Sequence, residues 1–457
     1  MNYYELVFQF FIYIYPSIFL INQVILYKFG NKYYNLNDIN ISEFPTLSII
    51  VPTKNEKIET IEDLLKNLNE VIWDKKKLEV IVVSDDDDEY IRELTSRISK
   101  YEFVKVYLRK KEERIGYKSG ALLYGFKKSR GELILTLDAD ARVEKDSLIK
   151  AYYLMRLNDC DAVTLKWRGY SKNHPSSLIR GLIISTEIGS TVLHIGRYNL
   201  GLKIFPVGCG TIFRRKILEA VNGWDPYLIQ DDLEIGARLI SKGYKICASE
   251  SIVRVEVPDN FFSFLIQQTR WAMGTIETLI YRFNNIISLN NLLYKIDILF
   301  YLIQYTPIVF TFIFALLLPS IYFITNDPLS SPLFALWVSS LAAYAYIYIK
   351  TGKQMGLGYK DSFMSLGKVS AYTVAISPFI LVSIINAFKK NRTYKVTPKG
   401  GSKIKGKEIY VVLIFGIVFL IEMILYLIKG AILTTFWLFY YSLAYLYTFY
   451  YTTFKEL

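Results

Sequence analysis

Close-set carboxylates are the first residues here with the types and spacing for chemistry. Asp138-Ala139-Asp140 follows the apolar run Glu132–Leu137. Two carboxylates one residue apart in an extended loop can hold a hard divalent cation through oxygen, with a diphosphate completing the shell. Mg2+ or Mn2+ suits that donor set; Zn2+ does not, because no His or Cys stands beside it. A solvated acidic loop is the plainer reading of the same residues. Asp85 and Asp86 close the run Leu78–Val83, where one carboxylate can accept hydrogen bonds from a nucleotide base or simply face water. Gln230-Asp231-Asp232 opens a helical pattern. Aspartates there stabilise a first turn through the helix dipole. The sharper reading makes Asp232 a general base that draws the proton from an acceptor hydroxyl, help worth ~10²–10⁴-fold in rate.

Other candidates need partners. If the segment is helical, Gln267, Arg270 and Trp271 fall at i, i+3 and i+4 on one face. Arginine's fork of donors suits a diphosphate, and the indole suits stacking on a sugar ring. An Arg-Trp pair anchoring a helix at a membrane interface is the competing reading. Lys118, within Gly116–Leu122, either offsets phosphate charge at a helix N-terminus or is solvated. Thr53 and Glu56, in the loop Pro52–Glu56, are equally ambiguous alone.

The elements that must position these residues alternate. Strands are predicted at Thr46–Val51, Leu78–Val83, Phe103–Leu108 and Glu132–Leu137, with helices at Ile58–Val71 and Lys118–Lys128. Alternation of short strands with helices implies a parallel sheet covered on both faces. Ligands of such sheets bind at the carboxyl ends of the strands. Three acidic or polar loops follow three strands at that edge. Further strands are predicted at Ala162–Leu165 and Thr211–Phe213, a helix at Asp231–Ser241, and an amphipathic surface helix over 259–290.

The rest is apolar. The 457 residues are 52% hydrophobic and 16% aromatic, the composition of an integral membrane protein with a substantial soluble part. Residues 6–27 are predicted to span a bilayer uncleaved, leaving Lys28 and Lys32 cytoplasmic. Spans 298–324 and 333–349 flank Thr325–Pro332, which lacks Lys and Arg and is predicted external; residues 409–428 and 431–453 form a second hairpin. Residues 362–388 are apolar too, but lysine-rich loops flank them on both sides and Lys368 lies inside. They are predicted to lie in the interface or re-enter from the cytoplasm rather than cross. Glu422, inside a predicted span, either lines a polar path or bonds a neighbouring helix. The charge of +12 concentrates beside apolar segments, as in cytoplasmic loops of membrane proteins, and calls for no nucleic acid. Cys160, Cys209 and Cys247 are an odd count without paired spacing, which argues against a disulfide framework or a zinc site.

Taken in order, these residues resemble the membrane-embedded family 2 glycosyltransferases of the cellulose synthase, hyaluronan synthase and poly-N-acetylglucosamine synthase type. The family's donor-side motifs match Thr53–Glu56, Asp85-Asp86 and Lys118, and its metal-binding Asp-x-Asp matches Asp138 and Asp140. Its acceptor-side Cys-Gly-Thr/Ser followed by paired arginines matches Cys209-Gly210-Thr211 and Arg214-Arg215. Its Thr-Glu-Asp base motif matches Gln230-Asp231-Asp232, with Gln230 departing from the pattern and Asp231 on the acceptor side. Gln267, Arg270 and Trp271 match Gln-x-x-Arg-Trp; the gating loop matches Tyr394, Val396, Thr397 and Lys399.

The resemblance implies an α/β cytoplasmic catalytic domain of glycosyltransferase type A, a nucleotide-binding, mostly parallel sheet, fused to an α-helical multi-pass domain in the cell membrane. It implies Mg2+ or Mn2+, a nucleotide-diphosphate sugar (a UDP-sugar before others), a glycan acceptor and a lipid bilayer. The expected parts are an N-terminal span and linker (1–44), the catalytic domain (45–258), interface helices (259–295), a transmembrane hairpin (296–350), an interface or re-entrant helix with the gating loop (351–407), and a second hairpin (408–457). The expected activity is inverting, processive transfer to a growing β-linked polysaccharide that the membrane domain exports. Transfer of one sugar to a lipid is the alternative, and a non-catalytic scaffold or transporter the third.

Overall fold

The computed structural model of the chain describes residues 3–31, 43–389 and 406–456. Strands form at β1 (Leu47–Thr53), β2 (Leu78–Ser84), β3 (Val104–Leu108), β4 (Leu133–Thr136), β5 (Arg142–Val143), β6 (Ala162–Tyr170), β7 (Thr211–Arg214) and β8 (Ile246–Glu256). They make one sheet in the order β3-β2-β1-β4-β7-β6-β8-β5. β1 runs parallel to β2 and β4, β2 to β3, and β6 to β8. β7 is antiparallel to both neighbours, and β5 to β8. This is the type A glycosyltransferase fold, a mostly parallel sheet between helices.

β1 shows why the sheet is covered on both sides. Leu47, Ile49 and Val51 pack with Ile61, Leu64, Leu65 and Leu68 of the helix Ile58–Glu70 on one face. Ile50 packs on the other with Ile81, Val83 and Ile134. Alternate side chains leave opposite faces of a strand, so an unbroken apolar run serves two layers. The helix Tyr117–Lys128 lies close on the second face because Gly125 has no side chain: a Cβ there would sit 2.5 Å from Ile50 Cγ2.

Sequence patterning missed the helices Asp88–Ile98, Ser147–Leu157 and Ser177–Ser190, and the eleven-residue β8. β8 breaks the apolar pattern with Ser249, Glu250 and Ser251, where the pairing with β6 shifts register between Thr164 and Lys166. The cysteine reading needs correction. A disulfide joins Cys160 to Cys247, with Cα atoms 6.0 Å apart, because β6 and β8 lie side by side; Cys209 remains free and buried.

Among the described residues, four helices are long and apolar enough to cross a membrane: Tyr3–Gly30, Ser177–Asn199, Leu333–Gln354 and Glu408–Ile428. Two bent pairs pass the same test as units, Leu292–Leu302 with Thr306–Leu316 at 56° and Tyr359–Ala375 with Ser377–Asn386 at 48°. Pro307 and Pro378 sit at the start of the second helix of each pair, where a missing N–H is tolerated. Ile432–Phe454 packs along Glu408–Ile428. The segment 362–388 is thus a broken helix, and its Lys368 is buried beside Glu456 (3.5 Å) and the rings of Tyr372 and Tyr451.

The sheet is joined to these helices through Ser177–Asn199, whose far end crosses the first helix very closely. A Cβ on Gly196 would sit 2.1 Å from the Leu26 carbonyl oxygen, and one on Gly30 2.5 Å from that of Thr191. Gly196→Val should therefore lower stability by about 1–3 kcal/mol through forced separation of two backbones. Thermal unfolding of the detergent-solubilised protein checks this; an unchanged midpoint would disprove the tight crossing.

Candidate active site

The carboxyl ends of β1, β2 and β4 bring the predicted polar loops together. The Asp85 N–H donates to the Thr53 carbonyl at 3.1 Å, and Thr53 itself is buried. Both Asp85 oxygens accept from the Arg109 guanidinium, at 2.7 and 2.6 Å, in a buried pair. Asp86 accepts from the Asn55 N–H and the Ser84 hydroxyl, each at 2.6 Å. Of the pair, Asp85 is the one locked by the protein's own arginine, and Asp86 is half-buried at the loop edge. Glu56 lies across from them, its carbonyl accepting from the Tyr90 hydroxyl at 2.7 Å.

After β4, the Asp138 N–H donates to Cys209 Sγ at 3.3 Å. Burial pushes the Cys209 thiol up, and the Asp138 and Asp140 carboxylates add to the effect. Asp140 is buried on the same loop, where the Tyr170 hydroxyl donates to its carbonyl at 2.5 Å. Among the described residues no group of three or more His, Cys, Asp or Glu side chains gathers in metal-binding fashion. The loop offers two carboxylates, all-oxygen donors of the kind that suit a hard cation; Asp138 lines the cavity and Asp140 does not.

Lys118 is not solvated. In the first turn of its helix it places Nζ 2.8 Å from Asp138, 3.8 Å from Asp231, and donates to the Gly208 carbonyl at 3.1 Å. The Asp232 carboxylate accepts from the Gly208 N–H at 2.9 Å, the Leu233 N–H at 2.8 Å and the Gln230 side chain. Burial pushes Asp231 up to about 7; Lys118 pulls it down, and Asp232 and Asp138 push it further up. Burial raises Asp232 as well, opposed by Lys118 and the hydrogen bonds it accepts. The two titrate as a pair held above the ordinary carboxylate range.

The helix Phe261–Tyr281 brings the aromatic wall. Trp271 lies 6.4 Å, centroid to centroid, from Trp167, whose indole N–H donates to the Cys209 carbonyl at 2.6 Å. Gly274 lets this helix rest on Gln230, 2.6 Å from where its Cβ would lie. Glu277, fully buried, accepts from the Ile229 N–H at 2.7 Å. Arg282, just past the helix end, pairs with Asp225 and with Glu234 at 2.8 Å. The face carrying Gln267, Arg270 and Trp271 is thereby fixed against the loop that carries Asp232.

One cavity of about 680 Å³ takes in Lys118, Asp138, Cys209, Asp231, Asp232, Gln267, Arg270 and Trp271, and continues between the apolar helices to Trp337 and Trp437. Thr53, Glu56, Asp85 and Asp86 stand at the sheet edge outside its lining. Gly210 and Thr211 lie behind it, the Thr211 hydroxyl bonded to the backbone of Val207. Tyr394, Val396, Thr397 and Lys399 lie outside the described residues. Sequence reasoning missed Arg109, Trp167, Glu277 and the cavity wall of Ser177–Asn199. No local pattern marks the first three; the last carried a helical apolar period that went unread.

A nucleotide-binding sheet with paired carboxylates at its edge and a buried acid pair beside an arginine and an indole defines a glycosyltransferase that uses a nucleotide sugar. Residues 133–349 match the model of glycosyl transferase family group 2. A probable glycosyltransferase of Sulfolobus acidocaldarius is 46% identical over 447 residues, 96% of each chain. The chain belongs to that family. The poly-beta-1,6-N-acetyl-D-glucosamine synthase of Staphylococcus aureus is 29% identical over 275 residues, 58% of this chain and 64% of that protein. The mannosyltransferase PcManGT of Pyrobaculum calidifontis, solved in complex with GDP-Man and Mn2+, superposes with a TM-score of 0.58 at 16% identity, covering 85% of this chain and all of that one; the likeness is one of fold.

Glu277 holds the Ile229 N–H in the loop that leads to Asp232, so its removal tests the positioning of that loop. Glu277→Ala should lower kcat by about tenfold to a hundredfold while leaving donor KM within about twofold, since a small misplacement of a fixed base is costly. Glu277→Gln, which keeps an acceptor for the Ile229 N–H, should restore most of the rate. Equal loss in both variants, or a loss confined to donor KM, would refute the positioning role.

Proposed function

We propose that this glycosyltransferase is a processive, inverting enzyme, anchored in the cell membrane with its catalytic domain cytoplasmic. It moves a hexose or N-acetylhexosamine from a nucleotide-diphosphate sugar to a growing β-linked polysaccharide and exports the product between its helices. The observation that carries this reading is the single cavity joining the acid pair to Trp337 and Trp437. Leu333–Gln354 is 22 residues long, about 33 Å at 1.5 Å per residue, enough to cross the apolar core of a bilayer. The cavity is lined by Trp337, Leu341 and Tyr344 of this helix, which supports a path for a glycan leaving Asp232. The likeness to a poly-N-acetylglucosamine synthase supports a polymeric product.

In the proposed reaction the acceptor hydroxyl oxygen attacks the anomeric carbon from the side opposite the diphosphate. Asp232 takes the hydroxyl proton, the new C–O bond forms, and the bond from the anomeric carbon to the diphosphate oxygen breaks. Lys118 and Arg270 face the negative charge that gathers on the departing nucleoside diphosphate. Asp138 and Asp140 would hold Mg2+ or Mn2+, which supplies further neutralisation of that charge; the fold relative's complex with Mn2+ supports the choice. Trp271 and Trp167 give the acceptor sugar a flat wall. Thr53, Glu56 and Asp86 take the nucleoside side, with Asp85 held behind by Arg109. Cys209, Gly210 and Thr211 shape the acceptor side. The bent helices Tyr359–Ala375 and Ser377–Asn386 lie at the cytoplasmic interface or re-enter from it.

Four outcomes check this. Asp232→Asn should abolish sugar transfer, a loss of at least about 10²-fold, while nucleotide binding persists. With the native enzyme, radiolabelled nucleotide sugars should yield a high-molecular-mass product; a solvent-extractable, single-sugar product would end the processive reading. A base must be deprotonated to act, and burial raises Asp232 above the ordinary carboxylate range, so kcat/KM should fall as pH drops through that raised range. Asp231→Asn removes a like charge that disfavours ionisation of Asp232, so its acid limb should move to lower pH. A limb that stays in place would separate the pH profile from this pair.

A further inference from the structure

At the nucleoside edge of the sheet, Arg109 is 1% exposed and makes five hydrogen bonds. A guanidinium has five N–H groups and no acceptor, so the whole fork is engaged. Nε and Nη2 meet the two oxygens of Asp85. The other three bonds go to backbone. Nη1 donates to the Glu113 carbonyl at 3.2 Å and to the Ile115 carbonyl at 3.1 Å, and Nη2 to the Tyr117 carbonyl at 3.0 Å. One side chain thus ties the turn 113–117 to the end of β2.

That turn carries strain. Gly116 and Tyr117 have φ of +81° and +45°. Glycine enters the left-handed region freely; a tyrosine there persists only where its surroundings fix it. The neighbours are tight. A Cβ on Gly116 would lie 2.2 Å from the Pro226 carbonyl oxygen, and one on Gly120 1.8 Å from that of Ile115. The Ser119 hydroxyl donates to the Leu228 carbonyl at 2.9 Å, so the start of the helix also braces the loop that leads to Asp231 and Asp232. The carbonyl of Tyr117 and the N–H of Lys118 belong to one planar peptide group. Holding that carbonyl therefore fixes where the Lys118 side chain leaves the backbone. From there its Nζ reaches Asp138 and the Gly208 carbonyl.

We propose that Arg109 is a positioning residue that aims Lys118 at the diphosphate of the donor, with Asp85 as its anchor. The inference rests on the reading above that Lys118 faces that diphosphate. Asp85 then serves the turn, through Arg109, and not the nucleoside. A lysine in place of Arg109 keeps a positive charge beside Asp85, but its donors share one nitrogen and cannot span the carboxylate and all three carbonyls. It frees the turn without leaving a buried acid uncompensated, as a neutral residue would.

The test uses the full chain in detergent with Mn2+ present, and reads binding by calorimetry. UDP, GDP, ADP and CDP are compared on the native chain; the tightest of them and its bare nucleoside become the probes. Arg109→Lys should weaken the diphosphate by about tenfold, the worth of one charge-assisted contact, and the nucleoside by less than about twofold. In a Lys118→Ala background the same substitution should weaken the diphosphate by less than about twofold, because the charge that Arg109 positions is gone. Gly120→Ala pushes the turn off the fork while leaving Asp85 paired. It should weaken the diphosphate as Arg109→Lys does, and it carries the test if Arg109→Lys does not fold. Equal weakening in both backgrounds, equal loss of the nucleoside, or full diphosphate affinity in either folded variant would overturn the assignment and leave the donor reading standing. Full affinity in Lys118→Ala alone, or a native chain that binds none of the four diphosphates, would sink the donor reading and this inference with it.

Discussion

The site depends on one ammonium held among acids. Lys118 reaches Asp138 and Asp231 and bonds the carbonyl of Gly208, whose own N–H serves Asp232. Three carboxylates in a partly buried space repel one another, and each shifts its neighbours towards protonation. The lysine lowers that cost and ties the helix Tyr117–Lys128, the β4 loop and the loop before β7 into one cluster. It cannot balance all three acids. That imbalance favours the proposed divalent cation, and a raised acid pair is what a base needs if it is to gain and lose a proton near neutral pH.

Fixing that cluster against the aromatic wall is a separate structural task. Gly274 allows contact with Gln230, Glu277 holds the Ile229 N–H, and Arg282 grips Glu234 and Asp225. Buried charges of this kind add little net stability, because desolvation offsets much of the attraction. Their value is geometric: the indole of Trp271 and the carboxylate of Asp232 belong to different helices, and these contacts set their separation. The helix Ser177–Asn199 does the same between the sheet and the apolar helices.

The apolar helices do more than hold the domain. Their packing leaves a continuous space whose wall changes character along its length, charged by the sheet and neutral with aromatic rings at the far end. A proposed polymer would pass from strong electrostatic contacts, which organise the reaction, to weak and repetitive ones, which let it slide. That gradient follows from burial, since charges are tolerated only where partners or water are near.

Much of this was legible in the sequence, for physical reasons. β1, β2 and β4 are apolar on both faces and end at polar loops, so a parallel sheet and its ligand edge could be read from patterning. Asp138, Asp231, Asp232 and Trp271 stood out because their chemistry is local to short motifs. What could not be read depends on long-range register. Arg109 looks like any strand-end arginine until β3 lies beside β2 and it meets Asp85. Cys160 and Cys247 are 87 residues apart in sequence and meet only because β6 and β8 pair. β8 itself hides behind its serines, whose burial is decided by neighbours. The cavity belongs to no segment, since stretches from the first helix to Ile432–Phe454 contribute to its wall. Residue types and spacing therefore determined the class of chemistry and where it had to sit, because side-chain chemistry and local periodicity are properties of short segments. Only the tertiary structure decided which acids share a lysine, what holds the indole in place and where the path leads, because those are distances between parts of the chain that sequence order does not bring together.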